Sequence, residues 1–190
     1  MAKRTSMKRT TSTSRRNLEP RDTESADQQG ELHELFLEEL GDVYNAEQQL
    51  VKALPKMAQA AESDELRQAF ESHLQETRQQ ISRLEEAAEA LGESIKSKTC
   101  KAMQGLIAEG HEMLQEHKGS SALDAALIAA AQKVEHYEIA TYGTLCTWAE
   151  QMGHDEALEL LKENLNEEEQ ADQKLTQIAE SSANQRAQTE

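Results

Sequence analysis

The chain has 190 residues and a formal net charge of −16, with 37% hydrophobic and 29% charged residues. This is a globular and not a membrane composition, and so acidic a surface argues against nonspecific binding of nucleic acid by the body of the protein. Only two Pro and eight Gly occur, and aromatic residues make up 3%, which favours an all-α fold with a core of Leu, Ala, Ile and Met.

Residues 1–29 form a polar segment rich in Ser and Thr, with seven basic and four acidic residues. The segment has no hydrophobic periodicity and cannot bury enough apolar surface to fold, so we predict a disordered basic tail. A basic tail on an acidic body could contact nucleic acid, whereas a solubilising role is the simpler interpretation. We expect nucleic-acid binding, if any, only through this tail.

Two long helices follow the tail, each with an apolar stripe at helical spacing. The first is predicted over about residues 30–62, and Pro55 is expected to kink or loosen it without ending it, because the apolar pattern continues beyond the proline. Ser63 offers an N-cap for the second helix, which is predicted over residues 64–91 with Gly92 as its stop.

A long connection separates these helices from the next pair. Its amphipathic pattern is weaker, and we predict within it a shorter helix over about residues 99–117. A bundle needs a connection of this length when its third long helix must begin at the opposite end. The third and fourth long helices are predicted over residues 122–152 and 155–181.

These elements predict one domain over residues 30–182, followed by a frayed C-terminus over residues 183–190. The expected fold is an all-α four-helix bundle whose second and third long helices are joined by a crossover containing an extra helix. No apolar run approaches transmembrane length and the N-terminus lacks an apolar signal segment, so we expect a cytoplasmic protein without a membrane partner. Cys100 and Cys146 are expected to be free thiols.

Ionisable residues interrupt the apolar stripe of every long helix near its middle. They are Glu47 and Glu138 in the first and third helices, His73 and Glu76 in the second, and Glu168 and Asp172 in the fourth. The first and third helices share a four-three-four spacing: Val43, Glu47, Leu50, Leu54 and Val134, Glu138, Thr141, Leu145. Glu47 and Glu138 therefore occupy matching phases, which predicts that they face each other across the bundle.

Five carboxylates and one imidazole at these positions predict a metal centre. Each unpaired buried charge would cost on the order of several kcal/mol, and like charges nearby would add to that cost. A domain whose net stability is about 5–15 kcal/mol needs a compensating cation. Oxygen-rich sites with one or two imidazoles suit iron or manganese better than zinc, and two such ions roughly balance four or five carboxylates. We therefore expect two iron ions, with manganese as the alternative.

Single members of this set have simpler interpretations. Glu76 alone fits a residue at the edge of a stripe with its carboxylate in water, and His73 alone fits a core histidine without a metal. Interruption of all four helices favours the metal centre. Glu135 lies three residues before Glu138, to one side of the predicted face. It could be a ligand, a partner of a ligand or an exposed residue, and we expect one of the last two.

Four segments carry a resemblance to a known family. They are YNAEQQLVKALPKMA, FESHLQETRQQISRLE, DAALIAAAQKVEHYEIATYGTL and LNEEEQADQKLTQIAE. Occurring together in this order over roughly residues 31–180, they resemble the YciF/YciE family of bacterial ferritin-like stress proteins. The resemblance implies a rubrerythrin-like four-helix fold with an extra helix, a dinuclear metal centre, a cytoplasmic location and a homodimer.

The ligand pattern departs from the wider ferritin-like one, which takes a Glu from each of two helices and Glu-x-x-His from each of the other two. Here His73 precedes Glu76, and the fourth helix offers Glu168 and Asp172 without a histidine. The chain also lacks a cysteine-rich rubredoxin-type iron motif, so electron delivery of the rubrerythrin kind is not expected.

Two hypotheses about function follow. The first is a di-iron or di-manganese oxidoreductase of the stress response that reacts with oxygen or peroxide, either oxidising Fe(II) or reducing hydrogen peroxide. No catalytic residues beyond the six metal ligands are expected. The second is a non-enzymatic stress protein that associates with DNA through its basic tail and whose metal site is structural or vestigial.

Overall fold

A computed structural model describes residues 23–188 of the chain, with side chains described from residue 30 onward. Its helices are α1 (Thr23–Ala60), α2 (Asp64–Ala90), α3 (Lys101–Glu116), α4 (Leu123–Met152), α5 (Asp155–Ile178) and α6 (Asn184–Gln188), with a π-helical turn over Ala179–Ala183. No strand occurs within residues 23–188, so the predicted all-α fold is confirmed. None of the described helices combines the length and apolarity needed to cross a membrane.

Four long helices form a closed ring. Short turns join α1 to α2 and α4 to α5, while α2 packs against α5 and α1 packs against α4. Neighbouring helices in the ring run antiparallel, so α4 must begin at the end of the bundle opposite to the end where α2 stops. The connection between them crosses that distance and contains α3, which lies against α1 and α4. The predicted ferritin-like four-helix bundle with an extra crossover helix is thus confirmed.

The predicted helix boundaries hold where their capping chemistry was identified. Ser63 caps α2 and its hydroxyl accepts a hydrogen bond from the amide of Leu66 at 3.4 Å. Gly92 and Gly153, which follow α2 and α4, have positive φ values of 73° and 72°, which glycine adopts without strain. Helix α1 continues through Pro55, as its apolar pattern predicted.

Two terminal boundaries differ from the prediction. Helix α1 begins at Thr23 instead of near residue 30, because helix-forming residues continue past the point where the apolar stripe ends. Of the disordered tail predicted over residues 1–29, residues 1–22 lie outside the described residues, and residues 23–29 belong to α1. The C-terminus is not frayed at residue 183: Ala183 is buried, and Arg186 forms an ion pair with the buried carboxylate of Asp124.

Two apolar clusters fill the bundle core, one towards each end. One cluster contains Leu50, Leu54, Phe70, Leu127 and Leu175, and the other contains Phe36, Leu40, Leu84, Leu145 and Leu161. Between them lies a layer of buried polar residues, which includes Glu47, Glu138 and Glu168. The core therefore consists of two apolar regions that are separated by a polar layer near the middle of the bundle.

The crossover is fastened to α1 by backbone contacts at a glycine. The carbonyl of Gly41 accepts a hydrogen bond from the amide of Lys98 at 3.0 Å. A Cβ atom at position 41 would collide with the backbone carbonyl of Lys96. Two α1 side chains complete the attachment, since Asn45 Oδ1 accepts from the amide of Cys100 at 2.9 Å and Gln49 Nε2 donates to its carbonyl at 3.1 Å.

This contact predicts that Gly41→Ala destabilises the protein by about 1–3 kcal/mol, because the added methyl group meets backbone and not a movable side chain. Gly143→Ala is the matched control: it also lies within a helix, and nothing lies within 4 Å of the added Cβ. That change should raise the free energy of unfolding by about 0.5–1 kcal/mol, measured by urea denaturation. Equal effects of the two substitutions would contradict the close approach.

Candidate metal centre

Three of the four long helices contribute ionisable groups to one buried cluster. Its members are His73 from α2, Glu135 and Glu138 from α4, and Glu168 from α5, and one ligand atom of each lies within 4.8 Å of the others. His73 Nε2 is 3.5 Å from a Glu135 oxygen and 3.6 Å from a Glu168 oxygen. All four residues are buried, so the cluster could hold a metal ion out of contact with bulk water.

Helix α1 adds Glu47 to this cluster. Its side chain is completely buried and interacts with Glu138, Glu168 and His73. Glu47 and Glu138 are thus close together across the bundle, as their matching phases predicted. With Glu47 included, all four long helices contribute to the site.

Three side chains around the cluster each form a hydrogen bond with one atom of a cluster residue. The buried phenol of Tyr142 donates to Glu47 Oε1 at 2.5 Å, and Gln80 Nε2 donates to Glu168 Oε1 at 2.6 Å. On the far side of the imidazole, His73 Nδ1 lies 3.3 Å from Glu76 Oε2. Because the carboxylate can only accept, Nδ1 carries the hydrogen, and the lone pair of a neutral imidazole is on Nε2, towards the cluster.

Six other atoms of the cluster have no hydrogen-bond partner. Within the described residues, seven buried side-chain atoms lack a partner: Glu47 Oε2, His73 Nε2, Gln80 Oε1, Glu135 Oε2, both oxygens of Glu138, and Glu168 Oε2. Six of the seven belong to the cluster. Buried polar atoms are almost always paired, and leaving each one unpaired costs about 1–3 kcal/mol or more. A set of oxygens and one imidazole nitrogen left open in one place therefore fits a bound cation.

Burial and mutual repulsion oppose ionisation of the carboxylates. Burial, with the neighbouring charge of Glu168, raises the pKa of Glu47 to about 8, and burial also raises the pKa of Glu135 to about 8. The pKa values of Glu138 and Glu168 are likewise raised well above the ordinary range, chiefly by burial. A cation in the cluster would reverse this tendency, because it stabilises the ionised forms.

The pKa of His73 reflects two opposing influences. Burial lowers it, but the carboxylates of Glu168, Glu76 and Glu47 raise it, and the net change is upward. Without a metal ion, a protonated His73 thus offsets part of the negative charge. The imidazolium hydrogen bond in turn lowers the pKa of Glu76.

The six predicted ligands divide into two groups. The structure brings together Glu47, His73, Glu138 and Glu168. Glu76 lies at Nδ1 of His73, and its side chain is 39% exposed. Asp172 lies at the edge of the cluster, where one oxygen accepts from Gln132 Nε2 at 3.0 Å and lies 3.4 Å from His136 Nε2. The cluster of close ligand atoms includes neither Glu76 nor Asp172.

Two residues of the site, Glu135 and Gln80, differ from the prediction. Glu135 was expected to be exposed or a partner of a ligand, but it is 3% exposed and belongs to the cluster. Gln80 was not identified as a residue of the site, but it is completely buried, whereas the adjacent Ile81 is half-buried. Both residues lie at a step of seven from another buried residue, Glu135 from Tyr142 and Gln80 from His73, and this spacing could have identified them.

The buried face of α4 is correspondingly rotated from the predicted one. Thr141 was placed on that face, but it is half-buried, and the adjacent Tyr142 is completely buried. The rotation has a chemical reason: it brings Tyr142 to Glu47 and turns Glu135 inward. The face follows the polar contacts of the site as well as the apolar pattern.

Comparisons with known proteins agree with this structure. The family model described as "Domain of unknown function (DUF892)" matches residues 31–188. Protein YciF of Escherichia coli (strain K12) is 48% identical over 157 residues, which is 82% of this chain and 95% of YciF.

Solved structures give the same result. The crystal structure of the Escherichia coli stress protein YciF is 46% identical, covers 84% of this chain and 98% of its own, and has a TM-score of 0.77. The structure of YcfI of Rhodopseudomonas palustris, described as a candidate structural protein, is 48% identical and has a TM-score of 0.76. The match covers 78% of this chain and 94% of YcfI. The resemblance found in the sequence is confirmed.

The shifted pKa values predict how the stability of metal-free protein depends on pH. Glu47 and Glu135 have folded-state pKa values near 8, above those of the unfolded chain, so the folded protein binds more protons between about pH 5 and pH 8. The free energy of unfolding should therefore fall as pH rises through this window. The expected slope is about 1.4 kcal/mol per pH unit for each proton that the folded state binds in excess of the unfolded state. The raised pKa of His73 acts in the same direction.

This dependence can be measured by urea denaturation in EDTA at several values between pH 5 and pH 8. Glu138→Gln should make the slope shallower, because it removes one buried acid. A free energy of unfolding that is constant or rises over this range would contradict the buried acidic cluster.

Proposed function

The chain belongs to the DUF892 family, and on that premise we propose that this YciF-like stress protein binds two redox-active metal ions, iron with manganese as the alternative. We further propose that the bound metal reacts with oxygen or hydrogen peroxide. The observation that carries the proposal is the set of six unpartnered ligand atoms at the buried centre of the bundle. Hard oxygen donors with one imidazole nitrogen suit these metals better than they suit zinc.

The charge of the site supports two ions in place of one. Glu47, Glu135, Glu138 and Glu168 supply four negative charges when ionised, and Glu76 stands directly behind His73. Two divalent cations would balance four carboxylates, whereas one would leave two buried charges uncompensated. Both oxygens of Glu138 lack a hydrogen-bond partner, so Glu138 would offer two donor atoms to bound metal.

The residues around the cluster have distinct roles in this proposal. Tyr142, Gln80 and Glu76 each fix one atom of Glu47, Glu168 and His73, so that the opposite atom is presented to the metal. Such partners orient ligands and tune their basicity. The phenol of Tyr142 stays protonated, because burial and the nearby carboxylates raise its pKa. It therefore acts as a hydrogen-bond donor.

A bound iron or manganese pair would supply one-electron redox chemistry towards oxygen or peroxide. The protein would supply the rest of the function. The apolar clusters above and below the site would keep bulk water away from the bound metal.

Metal binding can be tested by anaerobic titration with Fe(II), and about two ions per chain are expected. Glu135→Gln should weaken binding by at least roughly tenfold, because it removes a buried donor. Asp172→Asn is the matched control, since Asp172 is a carboxylate one helix turn from Glu168 that is engaged with Gln132; its binding constant should change by less than about threefold. Equal effects of both substitutions would contradict the assigned ligand set.

Reactivity is a separate test on the loaded protein. Stopped-flow mixing with oxygen or hydrogen peroxide should oxidise the bound Fe(II) faster than Fe(II) in buffer, and Glu138→Ala should abolish the difference. Metal that binds without any such oxidation would instead favour a structural role.

A further inference from the structure

A groove between α2 and α5 reaches the buried cluster from the surface. Its volume is about 490 Å³, and it is partly open to solvent. His73 and Glu135 line it, although they are only 5% and 3% exposed. Each has an unpartnered atom, His73 Nε2 and Glu135 Oε2, and these atoms are 3.5 Å apart. The groove therefore ends at two residues of the cluster, each of which has an unpartnered buried atom.

A second groove on the described part of the bundle lacks this connection. It lies between α1, α3 and α4, is lined by Ala53, Leu106 and Ala130, and contains no member of the cluster. Glu47 and Glu138 have no exposed surface, and the buried Tyr142 donates a hydrogen bond to Glu47. An ion approaching from the side of α1 and α4 would have to displace packed side chains.

Charges at the rim of the α2–α5 groove favour a cation. Three carboxylates lie there, and two of them are already paired: Glu65 with Lys174 at 2.7 Å and Glu167 with Arg83 at 2.7 Å. Glu76 is the third, and its side chain is 39% exposed and contacts His73 Nδ1 at 3.3 Å. Glu76 is thus in contact with solvent and with a residue of the cluster at the same time.

We propose that the groove between α2 and α5 is the route by which hydrated divalent cations reach the cluster, and that Glu76 is their transient ligand on this route. A cation first replaces part of its water shell with the carboxylate of Glu76. It then moves to His73 Nε2 and Glu135 Oε2. This proposal rests on the proposed metal-binding function, and it assigns Glu76 to the path of the ion instead of the final coordination sphere.

The test measures the rate of ion uptake separately from the number of ions bound. Co²⁺ serves as the probe in anaerobic buffer, because its visible absorption reports its coordination. Ala171→Phe places a ring in the wall of the groove and should slow association by roughly tenfold or more, with the number of ions bound at equilibrium unchanged. Ala53→Phe fills the second groove with the same ring and should leave the rate unchanged.

Two further variants, which should fold normally, test whether slowed Co²⁺ uptake arises from the groove and not from a folding defect. Gln170 is an exposed residue of the groove, so Gln170→Trp should be tolerated by the fold and should also slow uptake. Glu76→Gln keeps a hydrogen-bond acceptor for His73 but removes the charge, and it should slow uptake and weaken its dependence on salt.

The outcomes separate the two proposals. If the wild-type protein takes up no stoichiometric Co²⁺, the proposed metal-binding function fails. If it binds Co²⁺ and the folded Ala171→Phe and Gln170→Trp variants take it up at the wild-type rate, the access route is wrong. Slowed uptake by Ala53→Phe alone would place the route on the side of α1, α3 and α4.

Discussion

The mutual repulsion of buried carboxylates is the constraint on which this structure depends. Four glutamates and a histidine meet at the centre of a helical bundle, where each ionised carboxylate is costly and each neighbour adds to the cost. A small domain can maintain such a group only if protons or cations neutralise it. The raised pKa values of the carboxyl groups correspond to neutralisation by protons, and the unpartnered ligand atoms fit neutralisation by cations.

The rest of the fold holds these charged groups in position. Two apolar clusters, one on each side of the polar layer, supply the hydrophobic stabilisation that the layer lacks. Hydrogen bonds from Tyr142 and Gln80 fix the carboxylates of Glu47 and Glu168. The crossover allows all neighbouring helices to run antiparallel, which brings the middle of each long helix to the same level. The site thus results from the topology as much as from any one helix.

Much of the fold could be predicted from the sequence, because helix caps and stops such as Ser63 and Gly153 act locally. The site was predictable where a charge interrupts an apolar stripe, as at Glu47 and Glu138. Prediction failed where a small rotation of a helix decides between neighbours. Tyr142 faces inward in place of Thr141, and its phenol reaches Glu47 on another helix. The four-three-four spacing of α4 did not predict this long-range contact.

Asp172 illustrates the same limit, since Gln132 on another helix donates a hydrogen bond to it at the edge of the site.

The most direct test of the proposed metal centre is anomalous diffraction from crystals of the full chain loaded with Mn²⁺. The account predicts two anomalous peaks inside the bundle, bounded by Glu47, His73, Glu135, Glu138 and Glu168. Peaks confined to the acidic surface, or a bundle centre that contains only water, would contradict it.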